Sequence, residues 1–562
     1  VTGSPRRRLF DRGSLKSDST AGLVLGVESV PDGLASGLLA GVNPVYGLYA
    51  LLVGTLTGAL FTSSTFMAVQ ATGAMAIIIT DVEAIQSAED PGSALFTLSI
   101  LTGLVMLAAG LLKLGSILRF VSNAVMIGFI SAVGVNIILG QLGDFTGYDG
   151  QGANRVVRAF DTILNLGQAD LPTMAIGTTT IALIVALERT RLGSLGMVAA
   201  IVVTSAAVAV LGLDSVQQLG DVADIPNALP RPAWPDLTQV TALLIPAFSL
   251  AFVGLVQGAS ITANFPNPDG TYPDASRDFV GQGVANVATG VFQAMPVGGS
   301  MSATSLVKSA GARTKQALII SSIVMAVVIL LFADLVARVA MPALAGLLML
   351  VGYQTIKPGD LMSVWKSGRM QAVVLAVTFW LTMLIPLQYA VLAGVALSVV
   401  LHVIRQSNKV TIRQRVYEPS GAVVEKDPPA SLPPDDVIVL QPYGSLFFAS
   451  APIFERQMPE VTGASRNTVV ILRLRGRSDL GTTFMDVLRK YALALQSVGS
   501  KLLLVSTDKQ LEEQLMVTGV TATIGPDNIY SGSERLGATI ERAYADATAW
   551  VETNQAPGAG TE

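Results

Sequence analysis

A chain of 562 residues with 51% hydrophobic and only 14% charged residues and a mean hydropathy of +0.57 cannot be one soluble core hidden from water, so the bilayer is its solvent. The net charge of -4 carries little by itself. Cysteine is absent and His402 is the single histidine, which excludes disulfides, thiolate nucleophiles, Cys-based and His-dependent metal sites and catalytic triads. No enzyme activity, metal, cofactor or nucleic-acid partner is expected.

In chain order, a basic head comes first. Arg6, Arg7, Arg8, Arg12 and Lys16 place residues 1–17 in the cytoplasm by the positive-inside rule. The apolar run that follows, from about Ala21 to Arg405, has room for roughly a dozen or more helical crossings of about 20 residues each. Its segments are long and continuously apolar and do not alternate with period two, which excludes a barrel. The continuation from Pro31 to Tyr49 lacks an evident small-residue cleavage site, so the first segment is read as an uncleaved span. Counting onward puts Lys113, Arg119, Arg189, Arg191, Arg313, Lys315, Lys357, Lys366 and Arg369 on the cytoplasmic side. The opposite loops are acidic: Asp81, Glu83, Glu89 and Asp90 in one, and Asp214, Asp221, Asp224 and Asp236 against Arg231 in another. That agreement predicts an even number of spans with both termini in the cytoplasm.

The first apolar segment, VESVPDGLASGLLAGVNPVYGLY, keeps two acids, Glu28 and Asp32. A carboxylate in hydrocarbon costs several kcal/mol unless it is paired, protonated or facing water, so both are candidates for substrate or coupling-ion handling. They are four residues apart on one helical face and flank Pro31. Solvation of Glu28 at the interface is the competing reading, and Asp32 lies deeper. The small residues Gly33, Ala35, Gly37, Ala40 and Gly41 are read for the most part as helix-packing positions.

The transport domain, 18–406, divides into halves, 18–213 and 237–406, separated by an outside loop with Pro226, Pro230, Pro232 and Pro235. Each half holds one short interrupted segment, MAVQATGAMAIII after Ser64 and MPVGGSMSATSLV after Gln293. Such segments at corresponding places point to a midplane site in repeat transporters, with half-helix N-termini suited to an anion. Thr72, Ser300, Ser302 and Thr304 offer hydroxyls there, either to the anion or back to their own helices.

Past Arg405 the composition turns polar. A linker, 407–434, carries Pro428, Pro429, Pro433 and Pro434. Residues 435–552 then show the strand-like runs VIVLQ, TVVILRLRG and KLLLVST, with an amphipathic stretch from Thr483 to Ser497 between the last two; the alternation reads as a small α/β domain. A disordered tail is expected over 553–562.

These segments resemble a known family. The first span, the stretch LRFVSNAVMIGFISAVGVNIILGQLGDFTG, and SRDFVGQGVANVATGVFQAMPVGGSMSATS followed by AGART are similar to the first, fifth, ninth and tenth spans of the sulfate permease (SulP) family of anion transporters. The C-terminal domain resembles that family's STAS (sulfate transporter and anti-sigma factor antagonist) domain. The resemblance implies an all-α polytopic membrane domain of fourteen spans, built as two inverted seven-span repeats, split into core and gate domains that work by an elevator movement, plus a small cytoplasmic α/β STAS domain. It implies an anion site between the ends of the third and tenth spans, lined by Asp32 and Ala35 from the first, Thr72 and Gly73 from the third, Gln257 from the eighth, and Ser300, Met301 and Ser302 from the tenth. Asp32 falls where proton-coupled bacterial members carry an acid, and Glu28, one turn away, is kept with it as a candidate coupling residue.

Two departures bear on chemistry. Gln257 stands where many bacterial members have an acid, which weakens sodium coupling by their mode, and Ala303 stands where many have arginine, which leaves anion binding to helix dipoles and hydroxyls. In the STAS-like domain Gly481-Thr482-Thr483-Phe484 replaces the phosphorylated Asp-Ser-Ser-Gly motif of antagonist proteins, so phosphorylation there is not expected. The resulting expectation is a secondary active transporter of bicarbonate, sulfate or similar anions in the plasma membrane, coupled to H+ or Na+ and assembled as a homodimer. The alternatives are an uncoupled anion channel or exchanger regulated through the STAS domain, and a nucleobase permease, against which the STAS domain argues.

Overall fold

The structure, a computed structural model, describes residues 13–555 apart from 116–121, 153, 194, 419–421, 478 and 536. The basic residues Arg6, Arg7, Arg8, Arg12 and Arg119 and the tail from 556 onward lie outside the described residues. The chain forms two compact units, residues 1–398 and 399–562.

The first half of the membrane unit contains α1 (Leu15–Leu39), α2 (Val45–Phe61), β1 (Ala68–Gln70), α3 (Gly73–Thr80), α4 (Glu83–Gln86), α5 (Pro91–Leu111), α6 (Asn123–Gly140), α7 (Leu142–Thr146), α8 (Arg155–Leu164), α9 (Leu171–Glu188) and α10 (Leu195–Leu211). After the short α11 (Leu219–Val222), the second half repeats the order: α12 (Val240–Asn264), α13 (Ala275–Val291), β2 (Gly298–Ser300), α14 (Met301–Ser309), α15 (Gln316–Leu331), α16 (Ala333–Ala337), α17 (Met341–Thr355), α18 (Pro358–Lys366), α19 (Arg369–Leu384) and α20 (Leu387–Ser407). Each half therefore runs long helix, long helix, strand, short helix, long helix. Among the described residues six helical stretches, starting at Leu15, Pro44, Pro91, Asn123, Leu171 and Leu237, are long and apolar enough to cross a membrane. The short helices α3 and α14, at about 1.5 Å per residue, reach only part-way through a core of about 30 Å.

The halves interlock. Helix α1 packs on α15 of the other half, and its counterpart α12 packs on α5, while α2 meets α13. A second group forms where α6 packs on α17 and α19, and α9 on α10 and α17. This grouping matches the core and gate division that the resemblance implies. Exposed apolar residues such as Val202, Val203 and Val210 on α10 and Ile323, Val327 and Leu331 on α15 suit a hydrocarbon solvent.

The small residues of α1 act as packing positions, as read. A Cβ on Gly47 of α2 would fall inside the van der Waals shell of the Gly33 carbonyl oxygen, and one on Gly37 would lie 2.6 Å from the Pro44 Cα. Backbone meets backbone there, which van der Waals packing between membrane helices rewards. Ala35 is 1% exposed in the same apolar cluster.

The second unit is a six-stranded sheet in the order β4-β3-β5-β6-β7-β8, with β3 (Thr411–Tyr417), β4 (Val423–Lys426), β5 (Val437–Tyr443), β6 (Val469–Arg473), β7 (Lys501–Thr507) and β8 (Ile529–Ser531). Strands β5 to β8 are parallel, and β3 is antiparallel to both of its neighbours. Its helices are α21 (Ala451–Gln457), α22 (Gly481–Ser497), α23 (Lys509–Val517), α24 (Val520–Ile524) and α25 (Ala538–Asn554). Side chains alternate between faces as the pleat requires. Ile438, Leu440, Val470, Leu472, Leu502 and Leu504 pack under α21 to α24, whereas Val439, Val469, Ile471, Leu503 and Val505 pack against Ile540, Ala543, Ala547 and Val551 of α25.

Three expected boundaries change. The segment 407–434, read as a linker, carries β3 and β4, because its Thr-Ile-Arg-Gln-Arg-Val-Tyr alternation supplies an edge for β5. Helix α1 begins at Leu15, inside the expected basic head. Helix α25 runs to Asn554, two residues into the expected tail.

The glycine contact gives a direct test. Gly47→Ala should destabilise the purified protein by about 1–3 kcal/mol through overpacking, seen as a fall of several degrees in Tm. Gly167→Ala, where an added Cβ meets nothing within 4 Å, should leave Tm unchanged.

Candidate functional site

The two interrupted segments pair with each other. β1 and β2 are antiparallel, with Ala68 opposite Ser300, Val69 opposite Gly299 and Gln70 opposite Gly298. Because α3 continues from β1 and α14 from β2, the two short helices leave the strand pair in opposite directions, both presenting N-terminal ends to it. The first-turn amides of such ends have no intrahelical carbonyl to bond, and they carry the positive ends of the helix dipoles.

Unpaired backbone in a membrane costs several kcal/mol per group, and side chains close the gaps left by three-residue strands. Asn286 of α13 donates from Nδ2 to the Val297 carbonyl at 2.7 Å and accepts from the Val297 N–H at 2.8 Å. Gln282, one turn earlier, accepts from the Gly299 N–H at 3.0 Å. Thr304 accepts from the Ala68 N–H at 3.1 Å and donates to the Ser300 carbonyl at 2.6 Å. Gln70 donates to Ser29 of α1 at 3.1 Å and to Thr55 of α2 at 3.2 Å. Asp278 of α13 accepts from the N–H groups of Ser63 and Ser64 and from the hydroxyls of Ser63 and Thr262, anchoring the turn before β1.

Glycine lets α12 cross the strand pair closely. A Cβ on Gly298 would meet the Gly254 Cα at 3.0 Å, Met75 Sδ at 2.9 Å and Gln257 Oε1 at 3.3 Å, and one on Gly299 would meet the Gly258 Cα at 3.0 Å. Gln257 is thus held at the strand pair.

Of the residues expected at the site, Thr72 and Gln257 touch: the Thr72 hydroxyl donates to Gln257 Oε1 at 3.2 Å and caps α3 by accepting from the Met75 N–H at 3.4 Å. Gly73 is the first residue of α3. Ser300 caps α14 by accepting from the Ala303 N–H at 3.3 Å, and its hydroxyl lies 3.1 Å from that of Ser302. Met301 and Ser302 are exposed, whereas Ala35 is buried. Thr304 bonds back into the scaffold. Glu28 is 8% exposed and Asp32 half-buried, so Glu28 is not a solvated interface residue. Neither carboxylate has a hydrogen bond or ion pair among the described residues, and Glu28 lies within electrostatic range of Asp32 and of Glu188 at the end of α9.

A cavity of about 30 Å3 opens beside Gln257, lined by Ala74, Phe129, Ile130, Phe252, Val256 and Thr378 among others. That is room for about one water. Asp32, Ala35, Ser300, Met301 and Ser302 do not line it. Thr378 Oγ1 on α19 is buried without a hydrogen-bond partner among the described residues, and Thr378 and Gln257 are the two polar residues in an otherwise apolar lining. Sequence reading singled out neither Thr378 nor the pair Gln282 and Asn286. The pair left a signal: two carboxamides four apart in a helix otherwise rich in small and apolar residues.

The architecture agrees with known proteins. The family model described as the sulfate permease family matches residues 15–378, and that of the STAS domain matches residues 431–536. The chain belongs to the sulfate permease family. It is 26% identical over 540 residues to the putative sulfate transporter YvdB of Bacillus subtilis, covering 95% of this chain and 99% of that one. It is 27% identical over 400 residues to the bicarbonate transporter BicA of Synechocystis, covering 70% of this chain and 71% of that one. In fold it is similar to the solved structure of SLC26A9, with TM-score 0.84 over 97% of this chain and 92% of that chain at 18% identity. This member of the family is a multi-pass membrane protein with a C-terminal STAS domain.

The clamp on β2 is testable. Asn286→Leu strands both polar groups of Val297 in a buried position, at about 1–3 kcal/mol each, and should lower Tm more than Thr72→Val, which removes one helix cap worth about 1 kcal/mol.

Proposed function

We propose that the protein is a secondary active transporter of small inorganic or organic anions, of the bicarbonate and sulfate class, coupled to protons or another cation. The observation that carries this reading is the pair of half-helices α3 and α14, whose N-termini face one strand pair with Thr72, Gln257 and Ser300 around it. Opposed positive dipole ends and first-turn amides make a site for a negative charge without a basic side chain. The names of the relatives, sulfate and bicarbonate transporters, support the same class.

In this reading Gly73, Met301 and Ser302 offer amides and Ser302 a hydroxyl to the anion, with Ala35 bordering the site as the small residue of α1. Asp32, with Glu28 one turn away, is the coupling group. Its protonation removes a charge that repels the incoming anion and lowers the cost of moving the site through the bilayer, which favours H+ over Na+. Movement of the core helix group against α6, α9, α10, α17 and α19, in the elevator manner, would open the cavity beside Gln257 to either side. The charge asymmetry of the loops supports cytoplasmic termini in the plasma membrane, and a homodimer is the proposed assembly.

Purified protein in liposomes should accumulate labelled sulfate or bicarbonate above equilibrium under an inward proton gradient and much less under a sodium gradient. Asp32→Asn should abolish accumulation and keep downhill flux. Equal accumulation by Asp32→Asn would remove the coupling role, and flux without accumulation in the native protein would identify a channel. Ser302→Leu should raise KM by about fivefold, the loss of roughly 1 kcal/mol of hydrogen bonding.

A further inference from the structure

The two half-helices end differently. At the C-terminal end of α3, Arg155 of α8 donates to the Ile77 carbonyl at 3.3 Å and forms an ion pair with Asp81 at 2.7 Å. At the corresponding end of α14 the cation is Lys308, and no carboxylate lies within ion-pair distance of it among the described residues. Its Nζ stands 5.1 Å from the ring centroid of Phe265 and 5.8 Å from that of Phe66. Two aromatic faces attract an ammonium without neutralising it. Phe66 lies just before β1 and Phe265 follows the last residue of α12, so the scaffold that shapes the candidate site also positions this charge.

The surface leading to Lys308 is unusual for this chain. Helix α14 buries Ala303, Thr304 and Val307 and exposes Met301, Ser302, Ser305, Lys308 and Ser309, a stripe at helical spacing that runs from the first turn to the last. The neighbouring α15 exposes Ile323, Val327, Leu330 and Leu331 instead. Hydrocarbon suits the second face. It does not suit an unneutralised lysine, which needs water around its charge; of the three exposed serines, Ser309 bonds back to the Leu306 carbonyl and Ser302 lies 3.1 Å from the Ser300 hydroxyl, while Ser305 lies between them on the same face. A favourable helix dipole accounts for a cation in the last turn, but it accounts for neither the serine stripe nor the missing carboxylate.

We propose that this face of α14 is the water-filled approach to the anion site and that Lys308 is its capture charge. The inference rests on the transport reading and deepens it by naming the access route and its selectivity. Ser300 and Lys308 are eight residues apart, about 12 Å along the helix, so Lys308 gathers anions before they reach the first-turn amides. An ammonium is a point charge without the bidentate fork of arginine. It selects for charge and small size and does not distinguish trigonal bicarbonate from tetrahedral sulfate.

The absence of cysteine makes the test clean. Ser305→Cys and Ser309→Cys each introduce a single thiol, to be reacted in nanodiscs with the anionic sulfonatoethyl and the cationic trimethylammonioethyl methanethiosulfonates. Both thiols should react, and at Ser305→Cys, one turn before Lys308, the ratio of anionic to cationic rates should exceed the ratio the same reagents show with a free thiol by roughly tenfold, from opposite unit charges about 6 Å from one ammonium in water. Adding Lys308→Gln should bring the ratio back to that of the free thiol, and Lys308→Arg should preserve it. Ile323→Cys, on the lipid face, should stay unmodified. In liposomes Lys308→Gln should raise KM several-fold and flatten its dependence on ionic strength with kcat unchanged. Unreactive thiols at both positions, or a charge preference indifferent to Lys308→Gln, would overturn the proposal. Labelling does not depend on transport, so a protein that labels as expected but moves no anion would count against the transport reading and leave the charged approach standing.

Discussion

The structure depends on one constraint: inside a bilayer every backbone N–H and C=O must find a partner within the protein. Two helices of this chain are broken at membrane depth, and each break is tolerated only because the other is beside it. Strand β1 bonds to β2, and the remainder is closed by Asn286, Gln282, Thr304 and Gln70. The repeat is thus a mutual solution to a desolvation problem, since neither half could bury its own break. What the clamps leave over is the first turn of α3 and of α14, where backbone donors and dipole ends gather from both halves around one strand pair.

That economy explains the composition of the helices around the breaks. Helix α12 presents Gly254 and Gly258 to Gly298 and Gly299 because any side chain there would hold the backbones apart and carry Gln257 away from Thr72. Helix α13 carries its carboxamides on the face toward β2 and its small residues toward α5, where Gly103 and Gly110 meet it backbone to backbone. Polar clamp and small-residue contact are two parts of one device: the first satisfies the broken strand, and the second brings it near enough to be satisfied.

Charge is placed with the same restraint. Asp278 is spent on the turn before β1, Asp18 accepts from the N–H groups of Arg313 and Thr314 ahead of α15, and Arg155 is paired with Asp81. These ions are structural. Glu28, Asp32 and Lys308 stand apart from them because no partner among the described residues neutralises them, which is the expected condition of groups that exchange partners with water, protons or a passing ion.

Much of this was legible in the sequence. Sustained apolar runs gave the membrane domain, the order of two interrupted segments gave the repeat, and short apolar runs after Asp435 alternating with a helical stretch gave the α/β domain, because each of these is a local pattern. The small residues of α1 were legible as packing, and Thr72, Ser300 and Ser302 as occupants of half-helix ends. Beyond reach were the strands at 411–417 and 423–426, which are polar and largely exposed and form by pairing with β5 and with each other, and the roles of Asn286, Thr378 and Lys308. Each of those side chains gains its meaning from a partner well beyond its own helical turn: the Val297 backbone for Asn286, the cavity shared with Gln257 for Thr378, and Phe66 and Phe265 for Lys308. Sequence by itself determined the solvent, the repeat and the chemical types available, because hydropathy and periodicity are properties of neighbouring residues. Only the tertiary structure decided which polar groups are spent on holding the broken helices and which stay open to an ion, because satisfaction of a buried donor is a matter of distance in space.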